Sequence, residues 1–177
     1  MSLRNALQTL SFRNKAASLV RSRKVYSLGS ARTVGFVCLL EDEQEWKDIQ
    51  TAVNRFQQSG AKVRVLSFYP EKVKPLWYVE TMNIVMCSLK EFGLMGIPKG
   101  KRVDEFMKDS FDILINLDLN GTFATNYVSV LSTAYFKVGI ENQENRKFFD
   151  LLIKMENMDL KIYLEQVMFY LSVLKTN

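Results

Sequence analysis

Six stretches of this chain are apolar at most positions: TVGFVCLL (33–40), KVRVLSF (62–68), NIVMCSL (83–89), FDILINL (111–117), FKVGI (136–140) and FFDLLIKM (148–155). A strand with one wet face alternates apolar and polar residues, whereas a strand covered on both faces reads as a near-continuous apolar run. Between the runs the period lengthens to that of a helix. In EDEQEWKDIQTAVNRFQQSG (41–60), Trp46, Ile49, Val53 and Phe56 share one face and Gly60 ends the element. Shorter helices are expected around KRVDEFMKD (101–109) and ATNYVSVLSTA (124–134). A longer one is expected over LKIYLEQVMFYLSVLK (160–175), striped by Leu160, Leu164, Val167, Leu171 and Leu174. Residues 71–82 read as irregular. Strands alternating with helices predict the α/β class: a doubly wound, mostly parallel sheet of about six strands in a three-layer domain.

The residues ahead of the first strand follow another pattern. Leu3, Ala6, Leu7 and Leu10 recur at helical spacing, so a short amphipathic helix is expected from residue 2 to about residue 20. SLGSAR (27–32) then reads as a linker. The expected division is a basic N-terminal arm over residues 1–30 and a single domain over 31–177, whose sheet is complete without the arm. Seven basic residues lie within the first 33, namely Arg4, Arg13, Lys15, Arg21, Arg23, Lys24 and Arg32, and no acid accompanies them. Of the 24 bases and 19 acids in the chain, 17 bases and all 19 acids follow, so the net +5 becomes −2 beyond the arm. The domain is therefore not a basic nucleic-acid reader. For the arm three roles are open: packing on the body, a homodimer contact, or contact of Arg4, Arg13, Lys15, Arg21, Arg23 and Lys24 with an acidic membrane surface or polyanion. In the last helix, Ile162, Phe169 and Tyr170 fall off the main stripe, which fits deep burial or a second dimer contact.

Composition narrows the chemistry. A hydrophobic content of 47% fits a soluble globular protein. No apolar run approaches the ~18 residues of a membrane span, and no secretory signal is read at the N-terminus. Cys38 and Cys87 each sit inside an apolar run, so free thiols, no disulfide and a reduced cytoplasmic setting are expected. The sequence contains no histidine. That removes Ser-His-Asp and Cys-His nucleophiles, histidine bases and the usual zinc sites. No metal and no cofactor are expected.

In open parallel sheets, ligands bind beyond the carboxyl ends of strands where the strand order reverses. The residues expected there are Glu41 and Asp42 after the first strand, Ser67 and Tyr69 after the second, Lys90 after the third, and Asp118, Asn120 and Thr122 after the fourth. Asp118 and Asn120 could hold a sugar hydroxyl or a hydrated cation. The competing reading makes Asn120 or Thr122 a helix cap and Asp118 a solvated acid bonding the turn that follows it. Lys99, Lys101 and Arg102 form a candidate anion site at a helix start. GLMGIPKGKR lacks the Walker A spacing and its Ser or Thr, and no dinucleotide glycine motif follows the first strand. A phosphoacceptor arrangement of Glu41, Asp42, Asp118 and Lys137 fails on spacing.

The phrases GIPKG (96–100), FDILINL (111–117), STAYFKVGI (132–140), FFDLLIKM (148–155) and YLEQVMFYL (163–171) resemble a family of short uncharacterised proteins typical of Bacteroidota, catalogued as a domain of unknown function. The resemblance spans nearly the whole chain and implies a Rossmann-like domain of bacterial origin with no established activity. A more distant likeness is to the N-terminal half of heptosyltransferase-type glycosyltransferases, which also run an FD-led apolar strand into a helix and a short Lys-Val-Gly strand. Together the residues favour a non-catalytic Rossmann-like binding or interaction module. The alternative is a glycosyltransferase-like enzyme or sugar- or nucleotide-binding protein with its site beyond strands one and four.

Overall fold

The computed structural model describes residues 12–93 and 96–175. Strand β1 (Thr33–Leu39) leads through α1 (Glu43–Gln58) to β2 (Lys62–Phe68), and β3 (Ile84–Cys87) and α2 (Lys101–Lys108) follow. The second half runs β4 (Ile113–Asn116), α3 (Phe123–Leu131), β5 (Phe136–Ile140), β6 (Leu151–Ile153) and α4 (Leu160–Val173). Every pairing is parallel, in the order β3-β2-β1-β4-β5-β6. The chain winds outward from β1 to one edge, returns to the centre, and winds outward from β4 to the other. This is a Rossmann-like three-layer α/β fold, and its switch point lies between β1 and β4.

The continuous apolar runs arise because both faces are covered. Phe36 and Cys38 of β1 join Trp46, Ile49 and Phe56 of α1 and Tyr163, Val167 and Leu171 of α4 in one core. Val37 of the same strand joins Val103 and Phe106 of α2 and Tyr127 and Val128 of α3 in the other. Strand six is shorter than its apolar run suggested. Phe149 is instead a packing residue: a Cβ on Gly139 would lie 2.7 Å from its ring, so only glycine lets β5 pass beneath it. The thiols are free and buried. Cys38 and Cys87 sit in different cores on strands separated by β2, so about 10 Å of sheet keeps them apart.

Leu3, Arg4, Ala6, Leu7 and Leu10 lie outside the described residues; within them, residues 12–18 are helical. This segment rests on α3 through Phe12, whose ring centroid is 5.8 Å from Phe123 and 6.0 Å from Tyr127, and through Lys15, which donates to the Tyr127 hydroxyl at 2.8 Å. The chain then crosses the amino ends of β5 and β6. There the Arg21 guanidinium donates to the carbonyls of Ala134, Tyr135 and Phe148 and to both carboxylate oxygens of Asp150, each at 2.8 Å. Beyond it, Leu28 N–H donates to the Leu171 carbonyl, reaching the opposite layer. Arg21, grouped above with the cations for an acidic surface, is instead an internal residue with a side chain 6% exposed. No helix among the described residues is long and apolar enough to cross a membrane.

Removing one partner of a buried pair strands the other charge, so Arg21→Ala should cost about 3–5 kcal/mol. Urea unfolding of the two proteins measures it. A loss no larger than that of an exposed arginine would show that Asp150 is solvated without its partner.

Candidate functional site

At the switch point, the carboxyl ends of β1 and β4 enclose a crevice of about 100 Å³, walled by Leu39, Glu41, Glu45, Asp118, Asn120, Met158 and Leu160. Small-molecule sites span roughly 300–1,000 Å³, so this one has room for a few waters and not for a nucleotide or sugar. Its remaining wall, Met158 and Leu160, comes from the approach to α4. Tyr78 lies beside the carboxyl end of β2, accepting from Ser67 at 2.9 Å and packing on Trp46.

Asp118 follows β4 and is 5% exposed, not solvated as its strand-end position suggested. One carboxylate oxygen accepts the N–H groups of Asn120 and Gly121 at 3.0 and 3.1 Å. The other accepts Thr122 N–H at 2.7 Å and the hydroxyls of Thr122 and Thr125 at 2.6 and 2.7 Å. Five donors occupy the acceptor capacity of one ionised carboxylate. The turn that brings them round needs Gly121 at φ +66°, a conformation costly for side-chain-bearing residues. Thr122 stands at the cap position of α3, yet its hydroxyl serves Asp118 rather than the helix. Asn116 reinforces the turn by accepting Asp118 N–H, while its own carbonyl accepts the hydroxyl of buried Tyr163 on α4.

Of the acids after β1, Asp42 and Glu45 are also engaged in local hydrogen bonds. Asp42 caps α1, accepting Glu45 N–H at 2.8 Å, and Glu45 reaches back to accept Glu41 N–H at 2.9 Å. Burial, with the charges of Asp42 and Glu41, raises the Glu45 carboxyl above its ordinary range although the backbone N–H groups of Glu41 and Asp42 oppose the shift. Burial, then the charges of Asp118 and Glu45, also pushes the Cys38 thiol upward, making it a poor nucleophile. Among the described residues no cluster of three or more acid, cysteine or histidine side chains is placed to hold a metal ion.

Lys90 lies in a turn after β3, the edge strand, with β2 and β1 between it and β4. Lys99, Lys101 and Arg102 gather at the start of α2, but Arg102 faces Glu80 and Glu91 at 3.3 and 3.4 Å, and Lys101 pairs with Glu105 at 3.7 Å. The fold thus brings Glu41, Asp118 and Asn120 to one crevice, with Asp42 and Thr122 in its supporting turns, and leaves the four cations elsewhere. Glu45, Met158, Leu160 and Tyr163 were not read from the sequence as site residues. Only Glu45 carried a signal there, as the residue three after a capping Asp. A larger cavity, about 470 Å³, lies at the amino ends of the first strands beside the Arg64–Asp109 ion pair.

One buried titratable group lies far from the crevice. Lys137 of β5 is 1% exposed, and its ammonium nitrogen donates to the Val130 carbonyl in the last turn of α3 at 2.7 Å. Burial, reinforced by the charges of Arg21 and Arg23 and opposed by Asp150, lowers its pKa to about 7. The visible signal was a lysine inside the apolar run FKVGI.

Compared with known families, residues 5–174 match a family of unknown function, DUF6913. No curated protein matches the chain.

Asp118→Asn keeps the shape but turns an amide NH₂ toward donors, so it should cost about 3 kcal/mol, several times an exposed hydrogen bond. Thr125→Val, which removes one donor, should cost about 1 kcal/mol. Equal and small losses in denaturant unfolding would return Asp118 to the solvated role. For Lys137 the sign follows from linkage. Between about 7 and 10.5 the unfolded chain carries a proton on this amine that the folded chain lacks, so stability rises with pH across that window. Below it the cost of burying the ammonium is present in full. Arg21, Arg23, Asp150 and Lys147 are the charged groups around it. The stability difference between wild type and Lys137→Met should therefore change between pH 6.5 and pH 9.5, windows set by the shift to about 7. A constant difference would mean that Lys137 keeps its proton throughout.

Proposed function

The chain belongs to the DUF6913 family of unknown function, and from that premise we propose that it is a non-catalytic, Rossmann-like binding or interaction module. The observation that supports this reading is the state of the switch-point crevice. Its best-placed carboxylate, Asp118, is spent on five internal hydrogen bonds, and the remaining space is about 100 Å³. A pyrophosphate arriving there would meet Glu41, Glu45 and Asp118 rather than a glycine-rich helix start. The glycosyltransferase-like alternative requires an open polar cleft at this place.

A contact face suited to such a module lies on α4. Ile162, Phe169 and Val173 are 42%, 61% and 56% exposed at helical spacing, with Tyr170 stacked edge-on against Phe169 at 5.5 Å. The partner we assign to it is a second copy of the chain. The arm, residues 1–30, is assigned a docking role on the body, and the setting is a reduced bacterial cytoplasm, where two buried thiols stay free.

The test has two parts. Neutral sugars and nucleosides should leave the melting temperature unchanged, since a ligand of the native state alone raises it. A rise that disappears in Met158→Trp, a substitution filling the crevice, would overturn the module reading. Analytical ultracentrifugation should show a concentration-dependent dimer that Phe169→Glu dissociates. A monomer at every concentration would remove α4 as the contact face.

A further inference from the structure

Beneath the arm, at the amino end of the sheet, lies a further cavity of about 370 Å³. It is lined by Arg21, Arg23, Lys137 and Lys147 and by apolar residues including Val20, Val130 and Phe148. Its volume falls in the range of small-molecule sites, and its lining pairs an apolar body with a few polar groups. Asp150 neutralises Arg21 at 2.8 Å. Arg23 is only loosely held by the same carboxylate, at 3.5 Å, with a side chain 61% exposed. Lys147 forms no ion pair among the described residues. Lys137 contributes a nitrogen with one described acceptor, Val130, where a lysine ammonium has three donors. A single carboxylate thus stands against three cations and a buried amine, leaving an excess of positive charge around a partly apolar space.

We propose that this cavity binds a small organic anion, with an apolar body against Val20, Val130 and Phe148 and its charged group held by Arg23, Lys147 and Lys137. Binding is then coupled to protonation. The amine is largely neutral above its lowered pKa of about 7, and an anion beside it favours the ammonium, so the complex takes up protons from solution. The site lies at the end of the sheet opposite the switch-point crevice, and its test is read independently of the tests of that region.

The probes are 4-toluenesulfonate, whose charge is constant over the working range, and neutral 4-toluenesulfonamide of the same shape. By titration calorimetry of the full chain, the sulfonate should bind and the sulfonamide should not. Its affinity should rise as pH falls from about 8 to about 6, the direction set by protonation of a neutral amine. Running the titration in two buffers of different ionisation enthalpy should reveal the proton uptake, which Lys137→Met should abolish. Arg23→Ser with Lys147→Ser, both at exposed positions that the fold does not require, should weaken binding about tenfold or more. This pair keeps the proposal testable if Lys137→Met fails to fold. No heat with the sulfonate, equal binding of the sulfonamide, or an affinity unchanged by the double substitution would overturn the proposal.

Discussion

The ion pair between Arg21 and Asp150 holds together parts of the chain that sequence separates by 129 positions. The carbonyls of Ala134 and Tyr135 lie just ahead of β5, and that of Phe148 lies ahead of β6. The planar guanidinium meets three such carbonyls and a carboxylate at once, a geometry that a lysine could not reproduce. Asp150 also accepts the backbone N–H of Lys137 at 2.8 Å, so the pair fixes the start of β5 as well. With the arm tied at this point, its helical residues cover the α3 layer and Leu28 reaches α4. The same anchoring gathers Arg21 and Arg23 near Lys137, where their charges add to burial in lowering the affinity of that amine for its proton.

A parallel sheet makes its two ends chemically different, because every strand points the same way and every crossover helix returns antiparallel to it. Helix amino ends carry partial positive charge and helix carboxyl ends partial negative charge. In many doubly wound proteins the first helix start holds a phosphate. Here that position is filled by Asp42, Glu43 and Glu45, which satisfy α1 and leave its surroundings acidic. At the other end, Lys137 donates to a carbonyl in the last turn of α3, complementing the opposite pole. Arg21 and Arg23 of the arm add their charges to that end. The distribution of charge thus reverses the usual arrangement: acids line the crevice where anions commonly bind, and cations line a cavity at the amino ends of the strands.

Much of the architecture was legible in the residues themselves. Strands covered on both faces need apolar side chains at every position, so TVGFVCLL and FDILINL identified buried parallel strands without knowledge of their neighbours. The helix over 41–60 was equally readable, because Trp46, Ile49, Val53 and Phe56 repeat with the helical period and Gly60 ends it, although Asp42 emerged as its cap only in the structure. Local pattern was less informative where an apolar residue served packing rather than pairing. Phe148 and Phe149 read as strand, yet β6 begins at Leu151.

The roles of the charged residues were settled only in three dimensions. Asp118 at the end of an apolar run could be solvated or buried; five donors from the next seven residues, and Tyr163 bonding the Asn116 carbonyl from 47 positions away, decided for burial. Arg21 looked like one more surface cation of a basic arm until its partner, Asp150, stood beside it. By itself the sequence determined which segments must be hidden from water, because that depends on the side chains of each segment alone. Which charges are buried with them, paired or left free depends on contacts between segments far apart in the chain, and the tertiary structure alone decides those.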